Sequence, residues 1–210
     1  MMYKFFLLCF LSITNLAHAV EIEVQIQKKY QSISNIKAIF EQTLEHKESN
    51  TKQIRQGELI FSKPFLVRWE TKQPNPELLL ITSKAVWNYL PDEEVAYKYT
   101  PDIVNNSKVL VQVITGQAEL NKDFKVINLG RDLDYTKLQL FPNEPTPNMV
   151  EALIWVDDKN VIRQAKLVDF YGNSNTLSFK KITLNTILSK NSFEFTPPDG
   201  IDIEDRTKQK

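Results

Sequence analysis

The chain has 210 residues, of which 42% are hydrophobic, with 26 Lys and Arg balanced by 26 Asp and Glu. Zero net charge gives no basic footprint for nucleic acid or an anionic membrane. One cysteine and two histidines leave little material for thiol or metal chemistry.

The N-terminus reads as an export leader. Met1 to Lys4 is short and positive, Phe5 to Leu16 is an almost unbroken apolar run, and Ala17-His18-Ala19 places small residues where a signal peptidase reads. The competing reading is a buried N-terminal helix of the domain. On the export reading, residues 1–19 are cleaved and residues 20–210 form one domain. Cys9 leaves with the leader, and its context does not suit a lipidated cysteine. Loss of Lys4 takes the mature chain to a net charge near −1. No later stretch is apolar enough to span a bilayer as a helix.

From Glu21 to Ser34, the residues Ile22, Ile26, Tyr30 and Ile33 recur at helical spacing, although Ile22-Val24-Ile26 also alternates as a strand does. From Ile36 the period becomes two. Strand-like runs follow at about 36–48, 53–62, 65–72, 77–82, 85–90, 94–99, 123–129, 134–141, 150–157, 161–170 and 174–187. Turn signals separate them at Pro74-Asn75-Pro76, Pro91-Asp92, Gly130-Arg131-Asp132, Asp157 to Asn160 and Gly172-Asn173. Hairpin-length connections predict an antiparallel sheet, and one this long curls. One segment interrupts the series. Ser107 suits a helix cap, Val109, Leu110, Val113 and Ile114 share a helical face, and Gly116 suits a stop. Its β-branched residues make it a poor helix in isolation, so it needs a surface to lie on.

Catalytic motifs are missing. His46 is flanked by Glu45 and Lys47 in a charged strand end, no Gly-rich phosphate loop or G-x-S-x-G occurs, and the chain holds five glycines. The acidic runs Asp92-Glu93-Glu94 and Asp157-Asp158 fall at turns, where solvated loops explain them. No enzyme activity, cofactor or metal is expected.

The aromatic residues carry the functional signal. In residues 57–69 the odd positions include Leu59, Phe61, Phe65, Val67 and Trp69, with Lys63 as the one charge among them. Ala85, Trp87 and Tyr89 share a parity further on, as do Val95, Tyr97 and Tyr99. Each ring is open to reading as ordinary core. A single curled sheet has no second sheet to fill its concave face, however, so a face lined with rings and covered by two helices suits an apolar ligand. On this reading Phe65→Glu and Val67→Glu both leave a folded protein that has lost its ligand.

Several stretches together resemble the outer-membrane lipoprotein carrier family, LolA: Phe40-Glu41-Gln42, Gln56 to Pro64, Arg68-Trp69-Glu70, Val86 to Asp92, Trp155-Val156-Asp157, Asp169, Asn185 and Phe193 to Asp202. The resemblance implies a mainly β fold with a few helices: an open (half) antiparallel β-barrel of about eleven strands covered by an α-helical lid. It also implies a periplasmic monomer that takes acylated lipoproteins from an inner-membrane lipoprotein-releasing ABC transporter to an outer-membrane lipoprotein receptor, with no nucleic acid involved. The alternative is a related periplasmic carrier or sensor for another lipid or lipoprotein. The expected ligand-binding set is Phe40, Leu59, Phe61, Phe65, Val67, Trp69, Trp87, Tyr89 and Tyr97, with Val109, Leu110, Val113 and Ile114 from the lid. Lys63 stands where the family usually has the arginine that latches the lid, and fewer donors predict a looser latch. Ser83-Lys84 replaces the family's Asp-Gly before the Trp-x-Tyr strand, which disfavours a type I′ turn there.

Overall fold

The computed structural model describes residues 21–106 and 109–207. The leader expected over residues 1–19, Val20, the helix cap assigned to Ser107 and the tail Lys208 to Lys210 lie outside the described residues.

The first element is helix α1 (Ile22–Gln31), which settles the ambiguity at Ile22 to Ile26. Its four-residue spacing puts Ile26 and Tyr30 on one buried stripe, with Ile33 buried just beyond it. The helix ends where the Ser32 amide and hydroxyl both donate to the Lys29 carbonyl.

Eleven strands follow: β1 (Asn35–His46), β2 (Thr51–Ser62), β3 (Leu66–Gln73), β4 (Glu77–Ile81), β5 (Val86–Leu90), β6 (Val95–Tyr99), β7 (Phe124–Asp132), β8 (Tyr135–Pro142), β9 (Glu151–Val156), β10 (Ile162–Val168) and β11 (Ser174–Leu184). Between β6 and β7 lie a 3₁₀ segment (Pro101–Asn106) and helices α2 (Val109–Thr115) and α3 (Leu120–Asp123). A twelfth strand, β12 (Asp202–Asp205), was not anticipated; it pairs in parallel with β6, so the sheet is not antiparallel throughout. The described residues form one sheet in the order β12-β6-β5-β4-β3-β2-β1-β11-β10-β9-β8-β7. Because β11 returns beside β1, the two hairpin series fan out from a common centre. β7 and β12 are left as edges, and the barrel stays open.

Two turns show how local chemistry sets this path. Helix α2 closes on Gly116 at φ +68°, where the Gly116 amide donates to Val113 and the Gln117 amide to Gln112. That pair of bonds satisfies the last carbonyls of the helix. At Thr82 to Ala85 the Thr82 amide donates to the Ala85 carbonyl, while the Thr82 hydroxyl accepts from the Lys84 and Ala85 amides. Neither Ser83 nor Lys84 adopts positive φ. A threonine hydroxyl thus stands in for the backbone acceptor, and the hairpin forms without the glycine a type I′ turn demands.

Register decides which side chains face inward. Ala38 lies opposite Leu59, Phe61 opposite Val67, Leu59 opposite Trp69, and Val67 opposite Ile81. Partners across an antiparallel ladder share a face. The concave face therefore carries Ile36, Ala38 and Phe40 of β1, Leu59 and Phe61 of β2, Val67 and Trp69 of β3, then Leu177, Ala165, Ile154 and Leu138 from the far half. These join Ile26, Tyr30 and Ile33 and the α2 residues Leu110, Val113 and Ile114 in one buried cluster.

Candidate functional site

The site is built from the concave face outward. Phe40, Leu59, Phe61 and Val67 are at most 1% exposed, and Trp69 is 9% exposed at the margin of the cluster. The Phe40 and Trp69 rings lie 4.6 Å apart, tilted at 44°. Gly57 makes that contact possible: a Cβ there would stand 2.7 Å from the tip of the Phe40 ring. Phe65, in the β2–β3 turn, is partly buried and meets Phe61 edge-on at 6.5 Å. On the outlying strands Tyr97 lies opposite Asn88, which lies opposite Leu79, so Tyr97 also faces inward. Its ring stacks on Tyr99 and sits 4.4 Å beneath the Arg206 guanidinium.

Trp87 and Tyr89 correct the expectation. They do share a face, but Trp87 lies opposite Leu80 and Tyr89 opposite Leu78, on the convex side. There they clasp Phe195 at 5.6 and 5.2 Å, and Arg68 donates to the Glu194 carbonyl, so the segment leading to β12 is strapped across the outside. Both rings hold the C-terminal segment and lie outside the concave site. In the lid, Leu110, Val113 and Ile114 are buried as expected, Val111 is buried as well, and the side chain of Val109 lies outside the described residues.

The roof is closed. A cavity of about 230 Å³ opens at one end of the concave face, lined by Leu44, His46, Leu167 and Asn175, and the Gln42 amide donates to Asn175 beside it. Sites for drug-sized ligands usually run to about 300–1,000 Å³. A second cavity of about 350 Å³ opens at the α2 end, lined by Gln112, Ala118, Phe124 and Met149, and between the two the helices lie directly on the sheet.

Lys63 ties the end of α1 to the β2–β3 turn. Its Nζ donates to the carbonyls of both Tyr30 and Gln31, each at 2.9 Å. Those carbonyls belong to the last turn of α1, where Tyr30 also accepts from the Ile33 amide, and a cation there complements the negative end of the helix dipole. A single lysine thus reaches two acceptors, which narrows the difference expected from the missing arginine. The Asn185 side chain reinforces the junction, accepting from the Ser34 amide and donating to the Ser32 carbonyl. Removing the latch with Lys63→Met is expected to speed amide exchange in α1 by roughly 5–30-fold, the effect of about 1–2 kcal/mol. Lys63→Arg is expected to slow it to the wild-type rate or below. Hydrogen-exchange mass spectrometry on α1 peptides measures both.

Tyr30 is the second fixed point. Its hydroxyl accepts from the Ile162 amide at 3.1 Å, where the β9–β10 register shifts, and burial pushes its pKa well above the ordinary phenol range. Its ring lies flat against Gly116, where a Cβ would come within 2.4 Å. Among the described residues no three His, Cys, Asp or Glu side chains converge as a metal site, and His46 is exposed.

Residues 31–196 match the family described as "Outer membrane lipoprotein carrier protein LolA". The chain belongs to this family. The "Outer-membrane lipoprotein carrier protein" of Pseudoalteromonas translucida is 27% identical, over 87% of this chain and 86% of that one. The protein of the same description from Haemophilus influenzae strain PittEE is 26% identical, over 98% and 97%. In fold, a conserved protein from Thermus thermophilus superposes with a TM-score of 0.57 at 13% identity, over 88% of this chain and 97% of that one. Within the LolA family, Lys63, Phe40, Trp69 and Gly57 are the residues of this chain that build the roofed concave face.

Proposed function

We infer that this protein is a periplasmic carrier that shelters the acyl chains of lipoproteins beneath its helical roof, working as a monomer and without catalysis. Residues 1–19 direct its export and are removed. The observation that carries this reading is a curved sheet whose ring-lined concave face is covered by helices rather than by a second sheet. Opening the roof exposes Phe40, Phe61, Phe65, Val67, Trp69 and Tyr97 to the cargo, while Leu110, Val113 and Ile114 travel with the lid. Each acyl methylene removed from water contributes about 0.8 kcal/mol, so a few chains bind tightly without specific polar contacts. Some of that gain is offset by exposing the underside of the helices. The offset keeps the affinity low enough for hand-over from an inner-membrane lipoprotein-releasing ABC transporter to an outer-membrane lipoprotein receptor. The names of the relatives support the cargo assignment.

Mass spectrometry of the protein isolated from the periplasm tests this directly. The expected companions are peptides with an acylated N-terminal cysteine, diminished in Phe65→Glu. Recovery of free phospholipid alone would sink the lipoprotein assignment and favour a carrier of another lipid.

A further inference from the structure

One polar atom inside the concave face has no structural employment. Asn88, in β5, lies between Leu79 of β4 and Tyr97 of β6 on the concave side, and its Oδ1 is shielded from solvent without a hydrogen-bond partner among the described residues. The convex neighbours Trp87 and Tyr89 are engaged by Phe195, and among the described residues none pairs with the Asn88 Oδ1. An unpaired buried acceptor costs stability, and native proteins keep few of them without a use. The 3₁₀ segment Pro101–Asn106 lies beside β5.

We propose that the Asn88 carboxamide is the polar anchor of the cargo site: its Oδ1 accepts the N–H of the amide that joins an acyl chain to the lipoprotein's N-terminal residue. The proposal rests on the carrier reading above and deepens it. Acyl chains on an apolar wall can slide, because apolar contact has no direction. A hydrogen bond fixes the depth at which the chains stop and the polypeptide begins. Asn88 suits that boundary, with Leu79 on one side and with Tyr97, under the Arg206 guanidinium, on the other. Lipids joined only through esters carry no such N–H, so the site discriminates against them by leaving the acceptor unpaired.

Two synthetic lipopeptides test this: an N-palmitoyl-S-dipalmitoylglyceryl cysteinyl peptide, and the same compound with its N-acyl amide methylated. Their chains are identical and only the donor differs. Binding is measured with the full exported chain and with Asn88→Leu. Wild type is expected to prefer the N–H compound about tenfold, one hydrogen bond's worth of discrimination. Asn88→Leu is expected to bind both alike, and to melt at a higher temperature because the orphaned acceptor is gone. Equal binding of the two compounds by wild type overturns the anchor, as does undiminished preference in Asn88→Leu. In either case continued binding of both leaves the carrier reading intact, whereas failure to bind either lipopeptide removes both.

Discussion

Val67→Glu is expected to unfold the protein, whereas Phe65→Glu, two positions away, is expected to leave it folded and empty. Val67 is wholly shielded, between Phe61 on β2 and Ile81 on β4, in the middle of the apolar cluster. A carboxylate there has no partner, and an unpaired buried charge costs several kcal/mol even after relaxation, a large part of a domain's stability. Phe65 sits at the turn and is only partly buried, so its glutamate can swing into water. Circular dichroism separates the two variants. Co-purified acylated peptide then reports on Phe65→Glu alone, because loss of cargo by a protein that does not fold says nothing about the site. Alternation by itself placed the two substitutions together; burial separates them.

Gly57→Ala is the second severe change, although it adds a single methyl group. The Cβ would lie 2.0 Å from the Glu70 carbonyl oxygen and 2.7 Å from the Phe40 ring. The first obstacle is backbone, next to the register shift that lets Gln56 pair with Gln73 and Gly57 with Thr71. β2 and β3 would have to separate, and the Phe40 ring would have to leave Trp69. Overpacking of this kind costs about 1–3 kcal/mol, occasionally more. At about 2–4 °C per kcal/mol for a chain of this size, a fall in melting temperature of roughly 2–12 °C is expected by thermal unfolding. A fall below about 1 °C would show that the strands accommodate the methyl group, and that Gly57 does not set the Phe40–Trp69 contact.

Much of the sheet was legible because alternation and turn chemistry agree along the chain. Residues 57–69 are the clearest case. The β2–β3 turn keeps Phe61 opposite Val67 and Leu59 opposite Trp69, so odd positions stay on one face across it. The face of Trp87 and Tyr89 was not legible, for a definite reason. β4 is apolar on both sides, with Leu78 and Leu80 outward and Leu79 and Ile81 inward. Alternation then says which residues sit together and not which side is the core. The side is fixed from far away, by Phe195. β12 was missed because Asp202-Ile203-Glu204-Asp205 has neither β-propensity nor an apolar face; it is a strand because the edge of β6 offers it hydrogen bonds. Asn88 was passed over between two conspicuous rings, and only its shielded, unpaired Oδ1 marks it among the described residues. Lys63 was singled out through the family resemblance, and the structure places its Nζ on two carbonyls at the end of α1.

The contacts of Tyr30 bear on how the roof lifts. One side chain touches three parts of the molecule: its own helix, the Gly116 turn that ends α2, and the Ile162 amide of the sheet. α1 cannot swing out without withdrawing the ring from under Gly116, and it cannot turn in place without breaking the bond to Ile162. Outward movement of α1 therefore disturbs its contact with the end of α2 and its bond to the sheet together. For the carrier proposed above, the expected consequence is release of cargo at docking rather than gradual leakage, because outward movement of α1 disturbs both contacts of Tyr30.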